Sequence, residues 1–309
     1  EIEWGQDVFY KDWEGNPLKG PVSGYPAPEL GPEDYNNYEF APSRIILWVA
    51  NQQHLYFGSF VLAVPIFCML IEFIGIRVRE EDPVMAEKYD RLAKDLMKVS
   101  LTAYSWTAIL GGILLFTFIT LFPGFFKYMA GIFRPVMHVY ALMFLAESGV
   151  LYVYYYGWDK MKDDTFLKWI HCSLSVLLNL IGTVLMYLAN SWATFMQAPG
   201  GIDSEGRFLG NIWHVIHSTL WNPVGVHRIL GNIVFGGGIV GAYAAYHYLT
   251  AKNEEERAHY DWVCYVAMFI CIFGLIPLPF AGYWLMKEVY AFRQQMGITL
   301  MGGIMAWLF

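Results

Sequence analysis

The sequence predicts an all-α integral membrane protein with six transmembrane helices, a partial seventh, an extended N-terminal strap and an interfacial amphipathic helix. Apolar residues make up 56% of the 309 residues, while charged residues make up only 15%. About a quarter of the residues in a soluble domain are charged, so most of this surface does not face water. The composition excludes disordered and disulfide-stapled proteins, and the net charge of −7 argues against nucleic-acid binding.

Residues 1–43 differ in composition from the rest of the chain. They contain six prolines, several aromatic residues, and nine acidic residues against two lysines, a balance that accounts for the whole net charge of −7. Disordered segments are normally poor in aromatic residues. We therefore expect an extended acidic strap that lies on the protein surface or on a partner.

The remaining chain contains six apolar runs, each long enough for a bilayer core, which needs about 20 residues per helix. They lie at about 45–76, 99–122, 132–157, 166–190, 222–250 and 260–286. A seventh run, Gly297 to Phe309, has only 13 residues and is too short for a full crossing. The runs predict a four-helix transmembrane bundle over 44–190 and further transmembrane helices over 222–309.

Residues 191–221, between the fourth and fifth runs, are not apolar enough to span and not polar enough for a free loop. Within them, Phe208 to Leu220 (FLGNIWHVIHSTL) carries apolar residues at helical spacing, which predicts an interfacial amphipathic helix. The pair Asn222-Pro223 then begins the fifth helix, because proline is well tolerated in a first turn.

The placement of lysine and arginine predicts the orientation in the membrane. The loop after the first run carries six of these residues, and the loops at 158–168 and 250–258 bring that side to eleven, against nine on the other. Charges that follow the first helix usually dominate. We therefore place the strap outside the cytoplasm.

His54 lies in the outer half of the first run, where an ionisable group is costly and therefore faces a partner or serves a function. Neutral imidazole binds haem iron without a local metal motif, so His54 is a candidate axial ligand and metal-binding residue. The alternative is a histidine that hydrogen-bonds a neighbouring helix or lipid headgroups. The chain has no CxxCH motif, so covalently attached c-type haem is not expected.

Glu147 lies near the middle of the third run, on a helical stripe with Tyr140, Met143, Leu151 and Tyr154. A lone carboxyl at this depth should be protonated, paired or part of a proton path. The alternative is a neutral glutamic acid that is hydrogen-bonded to a tyrosine or a backbone carbonyl within ordinary packing.

Other polar residues lie closer to the membrane surfaces. Near the outer surface the basic pair His227 and Arg228 could hold haem propionates or a lipid phosphate. The further candidates for cofactor binding are His138, His217, His227 and Arg228. Near the inner surface we expect His171 to be solvated and Glu72 to be an interface residue.

Several stretches carry a resemblance to a known family. They are HLYFGSFVLAVPIFCMLIEFIGIR from His54, GIFRPVMHVYALMFLAESGVLYVYYYGWDKM from Gly131, MYLANSWATFMQAPGG from Met186 and WNPVGVHRILGN from Trp221. In this order and spacing, with FLAES, YYGWDKM and LANSW as the most specific parts, they resemble subunit I of the cytochrome bd-type oxygen reductases. The resemblance covers about residues 44–290, which correspond to the first six helices of that subunit.

The resemblance implies a haem-bearing subunit of a respiratory terminal oxidase or electron-transfer complex. His54 falls on the position of the axial ligand to a high-spin haem, and Glu147 on an intramembrane glutamate associated with haem contact and proton transfer. It also implies haem b or a related haem, and other membrane subunits as partners. A c-type cytochrome docked near the acidic strap is a candidate electron donor.

The chain also departs from the family pattern. Val139 replaces a second intramembrane glutamate, and Gly231 falls where the low-spin haem ligand would lie, with His227 as the nearest substitute. The quinol-binding loop, its GRQPW motif and the later helices with further haem ligands are absent from these 309 residues. The alternative is therefore a haem-free structural or anchoring subunit that retains the bd-like fold.

Overall fold

The computed structural model describes residues 41–203, 206–292 and 297, and in this part of the chain the regular structure is α-helical apart from isolated β-bridges. The helices are α1 (Ser43–Val78), α2 (Pro83–Leu121), α3 (Pro123–Met161), α4 (Thr165–Gln197), α5 (Ile212–Ile216), α6 (Trp221–Thr250), α7 (Glu254–Leu275) and α8 (Leu278–Phe292). Within these described residues, six spans are long and apolar enough to cross a membrane, with α7 and α8 together forming the last. The predicted all-α membrane fold is confirmed.

The predicted N-terminal strap and the partial seventh helix lie largely outside the described residues. All but the last three residues of the strap at 1–43 lie outside the described part of the chain, as does the seventh run apart from Gly297.

The Lys/Arg-rich loops lie together at one end of the bundle, which we call the basic end. There Asp82, Asp164 and Asn253 begin α2, α4 and α7, each accepting a hydrogen bond at 2.8–2.9 Å from the backbone N–H three residues later. Lys94 Nζ of α2 lies 2.6 Å from Asp159 Oδ1 of α3. These contacts fix the helix starts and join neighbouring helices at the same end.

The second helix is longer than its apolar run. It begins at Pro83 instead of residue 99, because the charged segment before the apolar run is itself amphipathic. Leu92 and Leu96 are buried, whereas Glu87 and Arg91 are exposed. A criterion based on hydrocarbon thickness counts only the apolar part of such a helix.

The interfacial helix is much shorter than predicted, since only Ile212–Ile216 within the stretch 208–220 is helical. Before it, Gly210 has a positive φ of 86°, and Asn211 caps the helix by accepting a hydrogen bond from the N–H of Trp213 at 3.0 Å. The backbone leaves the helix again at His217. The predicted helix from 208 to 220 was therefore wrong in extent.

Helix α1 is the centre of the bundle. It contacts α2, α4 and α6, and 56% of its most apolar 18-residue window is buried, against 17–33% in the other five spans. Packing therefore continues across the predicted boundary at residue 190, because α6 also lies against α1. The side chains of α1 are consequently presented to three neighbours.

Glycines on α6 allow this close packing. A Cβ atom on Gly236 would lie 2.8 Å from the carbonyl oxygen of Ala63 in α1, and a Cβ on Gly237 would lie 2.9 Å from that of Ala267 in α7. Close approach of backbones at small residues is a common mode of helix packing in membranes. The next glycine, Gly238, has no such neighbour within 4 Å.

We expect Gly236→Ala to destabilise the protein by about 1–3 kcal/mol, because the new methyl group would overlap the backbone of α1. Gly238→Ala is the matched control, since its Cβ would enter open space. Thermal unfolding in detergent would measure both. Equal stability of the two variants would show that the α1 and α6 backbones do not approach as described.

Candidate functional site

His54 is half-buried between α1 and α2. Its Nδ1 lies 3.2 Å from the backbone carbonyl oxygen of Thr107, and a Cβ on Gly111 would lie 3.0 Å from its Cε1. A carbonyl oxygen can only accept a hydrogen bond, so Nδ1 carries the hydrogen and donates it. In the neutral imidazole Nε2 then holds the free lone pair, which is the arrangement found in metal-binding histidines.

Glu147 is buried in the middle of the bundle, with 7% of its surface exposed. Its Oε1 faces α4, where a Cβ on Gly182 would lie 3.0 Å away, and Leu62 of α1 lies beside the same glycine. No described residue makes a hydrogen bond or an ion pair to this carboxyl. An unpaired carboxyl at such a place is expensive, which marks Glu147 as a functional candidate.

A small enclosed cavity of about 20 Å³ lies beside Glu147. Ser100 Oγ is buried and has no hydrogen-bond partner among the described residues. Ser100, Tyr104 and Asn179 also line the cavity. A polar cavity of roughly 10–15 Å³ or more can hold one water when several polar groups surround it. The space therefore suits water next to a carboxyl and is far below the roughly 300 Å³ of a typical ligand pocket.

Arg228 and Asn190 form a second polar group on α6 and α4. The guanidinium donates from Nη1 to Asn190 Oδ1, while the buried Nδ2 of Asn190 has no hydrogen-bond partner in the part of the chain that the structure describes. No acidic side chain among the described residues pairs with Arg228. Arg228 lies close enough to interact electrostatically with both His54 and Tyr140, and Tyr140 in turn interacts with Glu147. His54, Glu147 and Arg228 therefore lie in one region, in which they interact over a distance and not through hydrogen bonds among the described residues.

The other sequence candidates lie apart from this region. His138 is exposed on the surface of α3. His217 is exposed, with Nδ1 2.9 Å from the carbonyl oxygen of Trp213. His227 is directed towards α8, where a Cβ on Gly282 would lie 3.6 Å from its ring. Their assignment to cofactor binding stays a prediction.

A larger cleft lies beside α1 and α6. It has a volume of about 300 Å³ and is lined by Gln52, Leu55, Tyr56, Ser59, Gly231, Asn232 and Phe235. Gly231, near which the family resemblance predicts a haem ligand, therefore borders open space. His54 does not line this cleft, so the two features lie at different faces of α1.

Sequence reasoning missed a cluster at the basic end. His171 is completely buried and Glu72 is 1% exposed, so the expectation that His171 is solvated was wrong. Both belong to a network that also includes Asp90, Tyr154 and Lys168. The signal in the sequence was the presence of both acidic and basic residues near the ends of four successive helices. Which of these side chains contact each other depends on the tertiary fold.

The chain is similar to known proteins in sequence and in fold. Residues 43–306 match the family model of cytochrome bd terminal oxidase subunit I. The fold is similar to that of bd oxidase from Geobacillus thermodenitrificans, with a TM-score of 0.72 and 16% identity over 82% of this chain. The match covers 56% of the Geobacillus chain, so this chain spans little more than half of that length. No curated protein matches this chain.

The family match covers most of the sequence and includes the region that contains His54, Glu147 and Arg228. It agrees with the resemblance inferred from the sequence segments, while the structural likeness supports the same all-α fold. The chain therefore belongs to the cytochrome bd terminal oxidase subunit I family.

Proposed function

We propose that this chain is a haem-bearing membrane subunit of a bd-like respiratory oxidase or electron-transfer complex, in which electrons pass to a buried haem that reduces oxygen. The geometry of His54 carries the proposal. The carbonyl of Thr107 orients the ring through Nδ1 and leaves Nε2 available as a ligand. A haem needs only axial ligands from the protein, so one oriented histidine is a sufficient beginning.

The surroundings of His54 also suit a haem or a related macrocycle. Haem propionates are carboxylates, and Arg228 and the unpartnered Nδ2 of Asn190 are two donors without an acidic partner in the described structure. The water-sized cavity at Glu147 suits a proton-carrying group better than a macrocycle. We therefore assign ligand binding to His54 and Arg228, and proton handling to Glu147.

A bound haem would supply electron transfer and oxygen binding at its iron. The residues of this chain supply orientation and protons. The carbonyl of Thr107 holds the ring of His54 in one orientation. Arg228 would offset the negative charge of the haem propionates. Glu147 can take up a proton on its carboxyl and release it to water in the adjacent cavity, where Ser100 Oγ offers an unused hydrogen-bonding group. Oxygen reduction consumes protons, so a proton carrier in this region serves the proposed reaction.

The proposed complex includes other membrane subunits. Exposed apolar side chains on α2 and α3, including Trp106, Phe116 and Leu145, provide surface for such subunits and for lipid. A c-type cytochrome near the acidic strap of residues 1–43 is the proposed electron donor, since opposite charges favour such docking. We place the strap on the extracytoplasmic side of a prokaryotic cytoplasmic membrane.

A haem-free structural subunit is the second candidate function. It is favoured by Gly231, which lines the 300 Å³ cleft and has no side chain to bind iron. On this reading, the chain anchors other subunits and His54 serves only to join α1 to α2. Haem extraction from the purified complex separates the two candidates.

We expect His54→Ala to remove or shift one set of haem bands in the reduced-minus-oxidised visible spectrum, because the substitution removes the proposed axial ligand. His214→Ala is the matched control, as this exposed histidine on α5 is not among the candidate cofactor ligands. If every haem band survives His54→Ala unchanged, the ligand assignment is wrong. Absence of extractable haem from the wild-type complex would favour the structural subunit.

A second variant pair tests the position of the ring without removing it. In Gly111→Ala the new methyl group would lie 3.0 Å from His54 Cε1, so the ring must shift slightly and its hydrogen bond to the Thr107 carbonyl is disturbed. We expect shifted haem bands in this variant. Gly112→Ala places its methyl in open space and should leave the spectrum unchanged. Identical spectra for both variants would contradict a haem bound to His54 in this orientation.

Glu147→Gln keeps the size of the side chain but removes its ability to carry a proton. We expect oxygen uptake by the purified complex to fall by about 10²-fold or more, with haem content unchanged, as found when a proton-transferring group is lost. Glu254→Gln, at an exposed ion pair with Arg257, is the control. Uptake should be measured with quinol and with reduced cytochrome as donors. Unchanged uptake with either donor would rule out a proton-carrying role.

A further inference from the structure

The buried cluster at the basic end joins four helices through charged and polar side chains. Glu72 of α1 accepts a hydrogen bond from Tyr154 of α3 at 2.7 Å and forms an ion pair with Lys168 of α4 at 2.7 Å, and it contacts His171 Nδ1. Lys168 also pairs with Asp90 of α2. A network of this kind is costly to bury unless its charges and donors are matched.

The hydrogen bonds determine where protons must be. His171 Nε2 lies 2.8 Å from the backbone carbonyl oxygen of Tyr154, which can only accept, so Nε2 carries a hydrogen. On the other side of the ring, Nδ1 meets Oε1 of Glu72. Without a further proton, two lone pairs would face each other there. One proton must therefore lie between His171 and Glu72, bonded to one or the other.

Charge balance leads to the same proton count. Lys168 and Asp90 compensate each other, and the Glu72 and His171 pair is neutral only when it holds the shared proton. Loss of that proton would leave a net charge of −1 in the interior. The remaining titratable groups that face Glu72 are the phenol of Tyr154 and the thiols of Cys68 and Cys172. In their protonated forms these groups are neutral, so they do not change the charge balance.

The cluster has a route to water at one side only. The side chain of Asp90 is 21% exposed, while those of Lys168 and Glu72 are 6% and 0% exposed. Towards the centre of the membrane, the buried apolar residues Cys68, Ala93 and Leu151 lie one helical turn from Glu72, Asp90 and Tyr154 on α1, α2 and α3. Among described residues, the cluster is therefore separated from the cavity at Glu147 and faces the basic end.

We propose that Glu72 and His171 form a proton-binding site that exchanges one proton with the aqueous phase at the basic end through Lys168 and Asp90. On release, the proton leaves the pair for Asp90 and then for water, and the cluster changes from neutral to a charge of −1. The site is independent of haem binding, so it goes beyond the proposed function. A purely structural ion pair would hold its helices together without exchanging a proton.

The test is infrared difference spectroscopy of the protein in lipid nanodiscs, with isotope-labelled histidine, during changes of pH. We expect one carboxyl band and one imidazole band to change in the same titration step. Glu72→Gln and His171→Gln should each abolish both changes, because one proton is shared. Glu87→Gln, at an exposed ion pair with Arg91, should leave them intact. Asp90→Asn should keep the bands but slow their deuterium exchange at least several-fold.

Two results would overturn the proposal. One is a carboxyl change that persists in His171→Gln, because the proton would then not be shared. The other is the absence of any coupled carboxyl and imidazole change in the wild-type protein. That result does not depend on the folding of a variant. If the Glu72→Gln and His171→Gln proteins do not fold, nitrogen NMR of labelled wild-type histidines decides. The absence of a histidine whose Nδ1 is strongly hydrogen-bonded would then contradict the site.

Discussion

The burial of α1 among α2, α4 and α6 is the constraint on which both polar regions depend. This helix carries His54 towards one end and Glu72 towards the other, and each meets partners from neighbouring helices. Backbone contact at Gly236 and Ala63 sets how closely α6 approaches α1. Because rigid packing transmits small displacements, a shift of α1 would alter the surroundings of both ionisable residues together.

The two regions solve the problem of buried charge in different ways. At the basic end, Glu72 is fully partnered by Tyr154, Lys168 and His171, and its charge is matched locally. Around His54 the balance is incomplete, since neither Arg228 nor Glu147 has an oppositely charged partner among the described residues. Unused hydrogen-bonding and charge capacity in a membrane interior is costly. It is therefore a stronger sign of a ligand or of proton transfer than a matched pair is.

The sequence was sufficient to predict the spans, because hydrocarbon thickness imposes apolar runs of a fixed length. It also singled out His54 and Glu147, since ionisable residues within such runs are rare. It did not predict the burial of His171, because proximity to charged loops says nothing about which side chains the bundle encloses. The predicted helix over 208–220 was longer than the observed helix at 212–216 for a similar reason. The apolar periodicity continues through Gly210, whereas the positive φ of this residue interrupts the helix.

Gly231 shows how family membership and local chemistry can diverge. The sequence match includes this position, yet a glycine there can supply no ligand, and the neighbouring His227 is directed towards α8 instead. The residue borders a cleft whose lining includes the polar side chains of Gln52, Ser59 and Asn232. Backbone packing, as at Gly236 and Ala63, holds α6 against α1 and needs no side chain at position 231. The function of this chain therefore has to be decided at His54, where a ligand-competent side chain is present.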